Sequence, residues 1–187
     1  MDTEITIRPI SLPDAETLST LAKNIYRQYY LHLWYPGGAD WYMNEYAYPV
    51  YKLKDELAAP ENKHWIAYAG TKAIGYIKLI LEPKLQYSDY SESAELERIY
   101  IDQLFAGKGL GRKFMQLVEN AAVMNGKKYI YLKAMDSATD SIAFYKRMGF
   151  RQIADFQLPM PTFQLMKEQF RGMVILQKKL DQVFKVS

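Results

Sequence analysis

The stretch Ile99-Tyr100-Ile101-Asp102-Gln103-Leu104-Phe105-Ala106-Gly107-Lys108-Gly109-Leu110-Gly111-Arg112-Lys113 constrains the fold of this chain more than any other. It reads as a strand, a short loop with three alternate glycines, and the start of an amphipathic helix whose apolar face runs through Leu110, Phe114, Leu117, Val118 and Ala121. Glycines let a backbone curl with its N–H groups turned inward. The helix that starts there adds unpaired N–H groups and a partial positive charge. Together they make an anion cradle, with Lys108, Arg112 and Lys113 as mobile cations around it. The spacing is neither that of a P-loop nor that of a dinucleotide fingerprint. Two readings stay open on the glycines alone: a cradle for the pyrophosphate of some other carrier, or a tight turn with basic decoration.

The rest of the chain falls into place around that segment. Glu4–Arg8 alternates and reads as a strand. Ser11 and Pro13 suit a helix start, followed by a stripe of Leu18, Leu21, Ala22, Ile25 and Tyr29. Tyr29 to Tyr51 is crowded with rings and broken by Pro36-Gly37-Gly38. A turn and a second helix are expected there, continued by Leu53 and Leu57 and ended by Pro60. A hairpin follows, Trp65–Ala69 and Ile74–Ile80 around Gly70-Thr71-Lys72. Strands are expected at Ala94–Ile101, Tyr129–Lys133, Phe150–Phe156 and Met173–Lys179, with helices ending near Gly126 and at Gly149. Strands alternating with helices in the second half predict an α/β sandwich around a mixed sheet. With 187 residues and no repeat or Gly/Ser linker, residues 1–187 read as one domain.

Composition removes several classes of function. The chain has no cysteine, so disulfide scaffolds, thiol nucleophiles and Cys-ligated metal are excluded. Its net charge of +3 is too mild to argue for nucleic acid. His32 and His64 are the only histidines and have no partners at metal-ligand spacing, so no metal is assigned. Short apolar runs and an N-terminus with acids and prolines predict neither a membrane span nor a secretory signal, and a cytoplasmic protein is expected.

A second segment, Asp140-Ser141-Ile142-Ala143-Phe144-Tyr145-Lys146-Arg147-Met148-Gly149-Phe150, reads as a helix ending in Tyr-Lys-Arg-Met-Gly-Phe. Taken with the glycine loop, it resembles the GNAT family of N-acetyltransferases. The likeness covers nearly the whole chain and is best over Ala94–Phe150. It implies a mixed, mostly antiparallel central sheet flanked by helices, with a V-shaped splay between the two central strands. It also implies acetyl-CoA as co-substrate, with its pyrophosphate on Gly107, Lys108, Gly109, Leu110, Gly111 and Arg112. The backbone of Ile99, Tyr100 and Ile101 would pair with the pantetheine, and Ser141 and Tyr145 would lie near the thioester. The family's usual Arg or Gln falls on Ala106, and a common Asn falls on Ala138. Finer likeness at Glu45–Leu57, Gly75–Leu79, Glu95–Ile101 and Phe170–Met173 points to the PaiA-type branch, described as spermidine/spermine N-acetyltransferases.

Acetyl transfer to an amine needs a free amine, donors for the developing oxyanion and an acid for the leaving thiolate. Tyr145 suits the acid, since an unperturbed phenol is protonated at pH 7. Glu95 and Glu97 share parity, and so are expected on one sheet face with Ile99 and Ile101. Either could assist deprotonation; the polyamine-acetylating likeness lands on Glu97 and the histone-acetylating one on Glu95. Tyr30, Trp34 and Glu97 are the candidate substrate contacts, since rings and carboxylates attract ammonium groups. The expected acceptor is a small polyamine-like amine. The alternatives are a protein N-terminus or lysine, and a CoA-binding regulator without turnover. The same rings would also suit packing of the two helices or a homodimer contact.

Overall fold

The expected hairpin is the spine of the fold. A computed structural model describes residues 4–83 and 92–181. In it β2 (Asn62–Ala69) and β3 (Lys72–Ile80) pair antiparallel about a Gly70-Thr71 turn in which Gly70 takes φ +59°. β1 (Ile5–Pro9) extends the sheet on one side of this hairpin, and β4 (Ser93–Ile101), β5 (Tyr129–Met135), β6 (Arg151–Gln157) and β7 (Gly172–Lys179) on the other. The strand order is β1-β2-β3-β4-β5-β7-β6. Only β4 and β5 run parallel, so the sheet is mixed and mostly antiparallel, as expected.

The parallel pair is short. It runs from Ser93↔Tyr129 to Leu96↔Leu132. Beyond it β4 stays with β3 as far as Ile101, and β5 stays with β7 as far as Met135. The two central strands therefore part, and the edge of β4 from Glu97 to Ile101 is open toward the gap.

Helices cover both faces. On one side α4 (Leu110–Met124) and α5 (Thr139–Arg147) bury Phe114, Met115, Val118 and Tyr145 against Ile77, Leu79, Leu132 and Leu176. On the other α1 (Ala15–Tyr29), α2 (Gly38–Trp41), the turn after it and α3 (Val50–Ala58) bury Leu18, Ile25, Tyr26, Met43 and Leu53 against Ile66 and Tyr76. Each such side chain stabilises the fold by about 1.5–3 kcal/mol.

Two expectations need correction. The segment after α1 is not one turn and one helix. A 3₁₀ turn at Leu31–Leu33, α2, a π-helical turn at Tyr42–Ala47 and then α3 follow one another. Pro49 separates the last two, because proline cannot donate the helix hydrogen bond and disfavours helical geometry in the residue before it. The parity argument on β4 also fails. Lys78 pairs with Arg98 and Leu79 with Leu96, so Glu97 is an extra residue in a bulge. Ala94 and Leu96 join the α4 core, and so do Ile99 and Ile101, one position later than strict alternation from Leu96 predicts.

Candidate active site

The glycine loop is anchored before it turns. The Asp102 N–H donates to Ile74 O at 2.8 Å, and its carboxylate accepts from the Leu104 N–H at 3.0 Å. Gln28, near the end of α1, accepts from the Gln103 N–H at 2.8 Å. Gly107 (φ +73°) and Gly109 (φ +83°) then take left-handed geometry, which side chains resist. Gly109 is the N-cap of α4, and no side chain among the described residues caps that helix. The first-turn amides are thus left for a ligand. A Cβ on Gly111 would lie 3.4 Å from Phe144, so the first turn of α4 sits close against α5.

A cleft of about 520 Å³ runs from this loop along the open edge of β4. Gly107, Gly109, Gly111 and Arg112 line one end, and Ile99, Tyr100, Ile101, Ser141 and Tyr145 the other. The structure thus brings together most of the residues singled out for the co-substrate. Lys108 and Leu110 are not in the lining: the Lys108 ammonium lies 5.3 Å from the Phe105 ring, and the Leu110 side chain is core.

A second, smaller chamber of about 220 Å³ sits where β4 and β5 part. It shares Tyr30, Ile99, Tyr100, Ser141 and Tyr145 with the larger cleft. Its other walls include Tyr26, Tyr42, Glu97, Lys133, Met135 and Ala138. The β6–β7 connection closes it with Leu158, Phe163 and Met166. That connection is tied down by Tyr35 N–H to Leu165 O and Lys167 N–H to Leu33 O, each 2.9 Å.

Tyr145 is 9% exposed. Burial, helped by Tyr100, pushes its hydroxyl well above the usual phenol range, so it stays protonated. Tyr30 is raised for the same reason and packs edge-on to Tyr100 with centroids 5.8 Å apart. Trp34 lines neither cavity. It is buried behind the aromatic wall, and its indole N–H donates to Tyr26 Oη at 2.8 Å.

The two glutamates separate. Glu97 projects from the bulge into the chamber wall and pairs with the buried Lys78, with Arg98 Nε at 3.9 Å. Burial pushes its carboxyl up, but Arg98 and Lys78 outweigh this and bring it down to about 2. Such a carboxylate attracts an ammonium and accepts a proton poorly. Glu95 lines neither cavity; it is buried, accepting from Tyr131 O–H at 3.0 Å and pairing with Lys133 at 2.9 Å. Behind Glu97, Glu56 accepts two bonds from Arg98 (2.8 and 3.2 Å) and meets Lys78 at 3.0 Å.

Sequence reasoning missed this network, although Lys78 alone among Ile74–Ile80 carries charge and is the signal that could have found it. It also missed Tyr26, Tyr42 and the β6–β7 connection. Asp89, which with Glu92 precedes or opens the strand of Glu95 and Glu97 in the sequence and is a further candidate carboxylate for a polyamine, lies outside the described residues. Among the described residues no group of three or more His, Asp or Glu could hold a metal, and no helix is long and apolar enough to cross a membrane.

Comparison with known proteins adds to the geometry. The family model described as acetyltransferase (GNAT) matches residues 24–150. A spermine/spermidine N(1)-acetyltransferase of Bacillus subtilis is 30% identical over 79 residues, 42% of this chain and 52% of that protein. The chain thus spans about half the length of the curated relatives it matches. Among solved structures, a PaiA N-acetyltransferase from Thermoplasma acidophilum in complex with coenzyme A superposes with a TM-score of 0.74 at 21% identity, covering 94% of this chain and 99% of that one. A probable acetyltransferase from Staphylococcus epidermidis gives 0.73 at 13% identity, covering 95% and 100%. At these identities the two structures speak to the fold.

Proposed function

The chain belongs to the acetyltransferase (GNAT) family, and on that footing we propose that it is an acetyl-CoA-dependent N-acetyltransferase of a small primary amine. The observation that carries this is the meeting of two cavities at Tyr145, Ser141, Ile99 and Tyr100, where β4 and β5 part. The larger cavity has the donor set that a pyrophosphate needs: uncapped helix amides, two left-handed glycines with open space around them, and Arg112. The open edge of β4 would take the pantetheine amides as an added strand. Bound there, the co-substrate supplies an acetyl group as a thioester. Proposed in the same way is a cytoplasmic location, where that co-substrate is available.

Tyr145 is the residue able to give a proton to a departing thiolate, since burial keeps its hydroxyl protonated. Glu97 is better suited to hold the incoming ammonium than to deprotonate it, given a carboxyl at about 2. We therefore assign Glu97 to binding, and the amine's proton to water in the cleft. Glu95 has no role in this scheme.

Relatives named for spermine and spermidine make a polyamine one candidate acceptor. The β6–β7 connection over the chamber, tied to Leu33 and Tyr35, argues against an extended peptide and for a small acceptor. A CoA-binding regulator without turnover is favoured only by Ala106 and Ala138, which remove two polar side chains from the cavity walls. Thiol release from acetyl-CoA, followed with a panel of amines and peptides, tests the proposal. Release that depends on a small amine supports it; CoA binding with no release from any acceptor removes the catalytic reading.

A further inference from the structure

The charge balance of the chamber narrows what it accepts, provided the acyl-transfer reading holds. Each carboxylate in or behind its wall already has a cation among the described residues. Glu97 pairs with Lys78, Glu56 with Arg98 and Lys78, and Glu95 with Lys133. Lys78 and Arg98 are held in place by burial, with side chains 4% and 12% exposed, so they cannot swing into water to free a carboxylate. Lys133 itself lines the chamber. Among the described residues the wall therefore carries no surplus negative charge.

One ammonium can still be received. Both contacts of Glu97 with its cations use Oε2, which leaves Oε1 on a side chain 31% exposed at the cavity. The remaining lining is mostly rings, thioethers and aliphatic groups, among them Tyr26, Tyr42, Phe163, Met166 and Leu158; its other polar groups are Lys133, Ser141 and tyrosine hydroxyls, none of them an anion. Ring faces can share one cation with Glu97. A second ammonium would find hydroxyls but no second carboxylate among the described residues of the wall, with Lys133 repelling it, and a buried charge without a counter-ion is disfavoured.

We infer that the acceptor is a monoamine with an apolar body, alkyl or aryl, rather than a polycation. The Tyr26, Tyr42 and Phe163 rings hold the body, and Glu97 receives the one ammonium.

A matched pair of amines decides it. 1-Aminohexane and 1,6-diaminohexane differ only in a second charge, and spermidine extends the series. With acetyl-CoA saturating, kcat/KM from thiol release is expected to favour 1-aminohexane over the diamine by ~10-fold or more, a factor that one unpaired ammonium readily supplies. Equal or better turnover of 1,6-diaminohexane or spermidine overturns the inference and leaves the acyl-transfer reading standing. No thiol release from any of the three also overturns the inference, while release with another amine or a peptide of the wider panel would leave the acyl-transfer reading standing.

Discussion

Tyr145 and Glu97 line the same chamber, yet their surroundings act on them in opposite directions. Burial keeps Tyr145 protonated, while Lys78 and Arg98 keep Glu97 ionised. For Tyr145→Phe, kcat is expected to fall ~100-fold or more, the usual worth of a positioned acid. CoA affinity measured by calorimetry should hardly move; an unchanged kcat would exclude Tyr145 as the acid. For Glu97→Gln, KM for the amine should rise ~10-fold, the loss of one charged hydrogen bond. The acidic limb of the pH–kcat profile should stay where it is, whereas a base would take that limb with it. Tyr145 was legible in the sequence because a helix ending in Tyr-Lys-Arg-Met-Gly-Phe is a local signal. The separation of Glu95 from Glu97 was not, because it depends on a bulge, and a bulge is set by cross-strand register rather than by local pattern.

At the scale of elements, the strand–glycine–helix unit carries the account. It was readable because glycine spacing and helix onset are both local. Gly109 takes φ +83° with open space around it. A side chain there strains the backbone by about 1–2 kcal/mol and turns the first amides of α4. Gly109→Ala is therefore expected to weaken CoA binding ~10-fold in calorimetry, and unaltered binding would speak against the cradle. Two other elements escaped the sequence. The broken helix between Tyr29 and Ala58 hides its break, since the Tyr and Trp rings scattered along it mask any helical period. The connection from Leu158 to Arg171 has no periodicity, and its role comes from distant partners, Leu33 and Tyr35.

For the molecule as a whole, the succession of strands and helices along the chain followed from alternating patterns, since each element buries one face, whereas the mostly antiparallel sheet and its splay came with the family resemblance and the order β1-β2-β3-β4-β5-β7-β6 was not foreseen. Many of the sixteen tyrosines proved to be packing residues: Tyr48 and Tyr76 are almost fully buried, and Tyr76 stacks on Tyr100 at 5.3 Å. Stability should depend on pH through His64, which is buried and whose Nε2 has no hydrogen-bond partner among the described residues. Burial, then Lys78, bring it from 6.5 down to about 4. Between those values the unfolded chain binds the proton and the folded chain does not. Stability is therefore present above pH 6.5 and is lost as pH falls toward 4, by about 3 kcal/mol. Glu97 adds a loss of the same sign between 4.5 and about 2. Urea midpoints across pH 7 to 4.5 should drop for the native chain and stay flatter for His64→Leu; parallel slopes would exclude His64 as the cause.

All of these expectations depend on the cleft beside β4 taking a thioester carrier by its diphosphate. Calorimetric titration of the intact protein with coenzyme A tests that most directly. Saturable binding of one coenzyme per chain, with a rise in melting temperature, is the expected result. Neither heat nor any melting shift at millimolar coenzyme would contradict it.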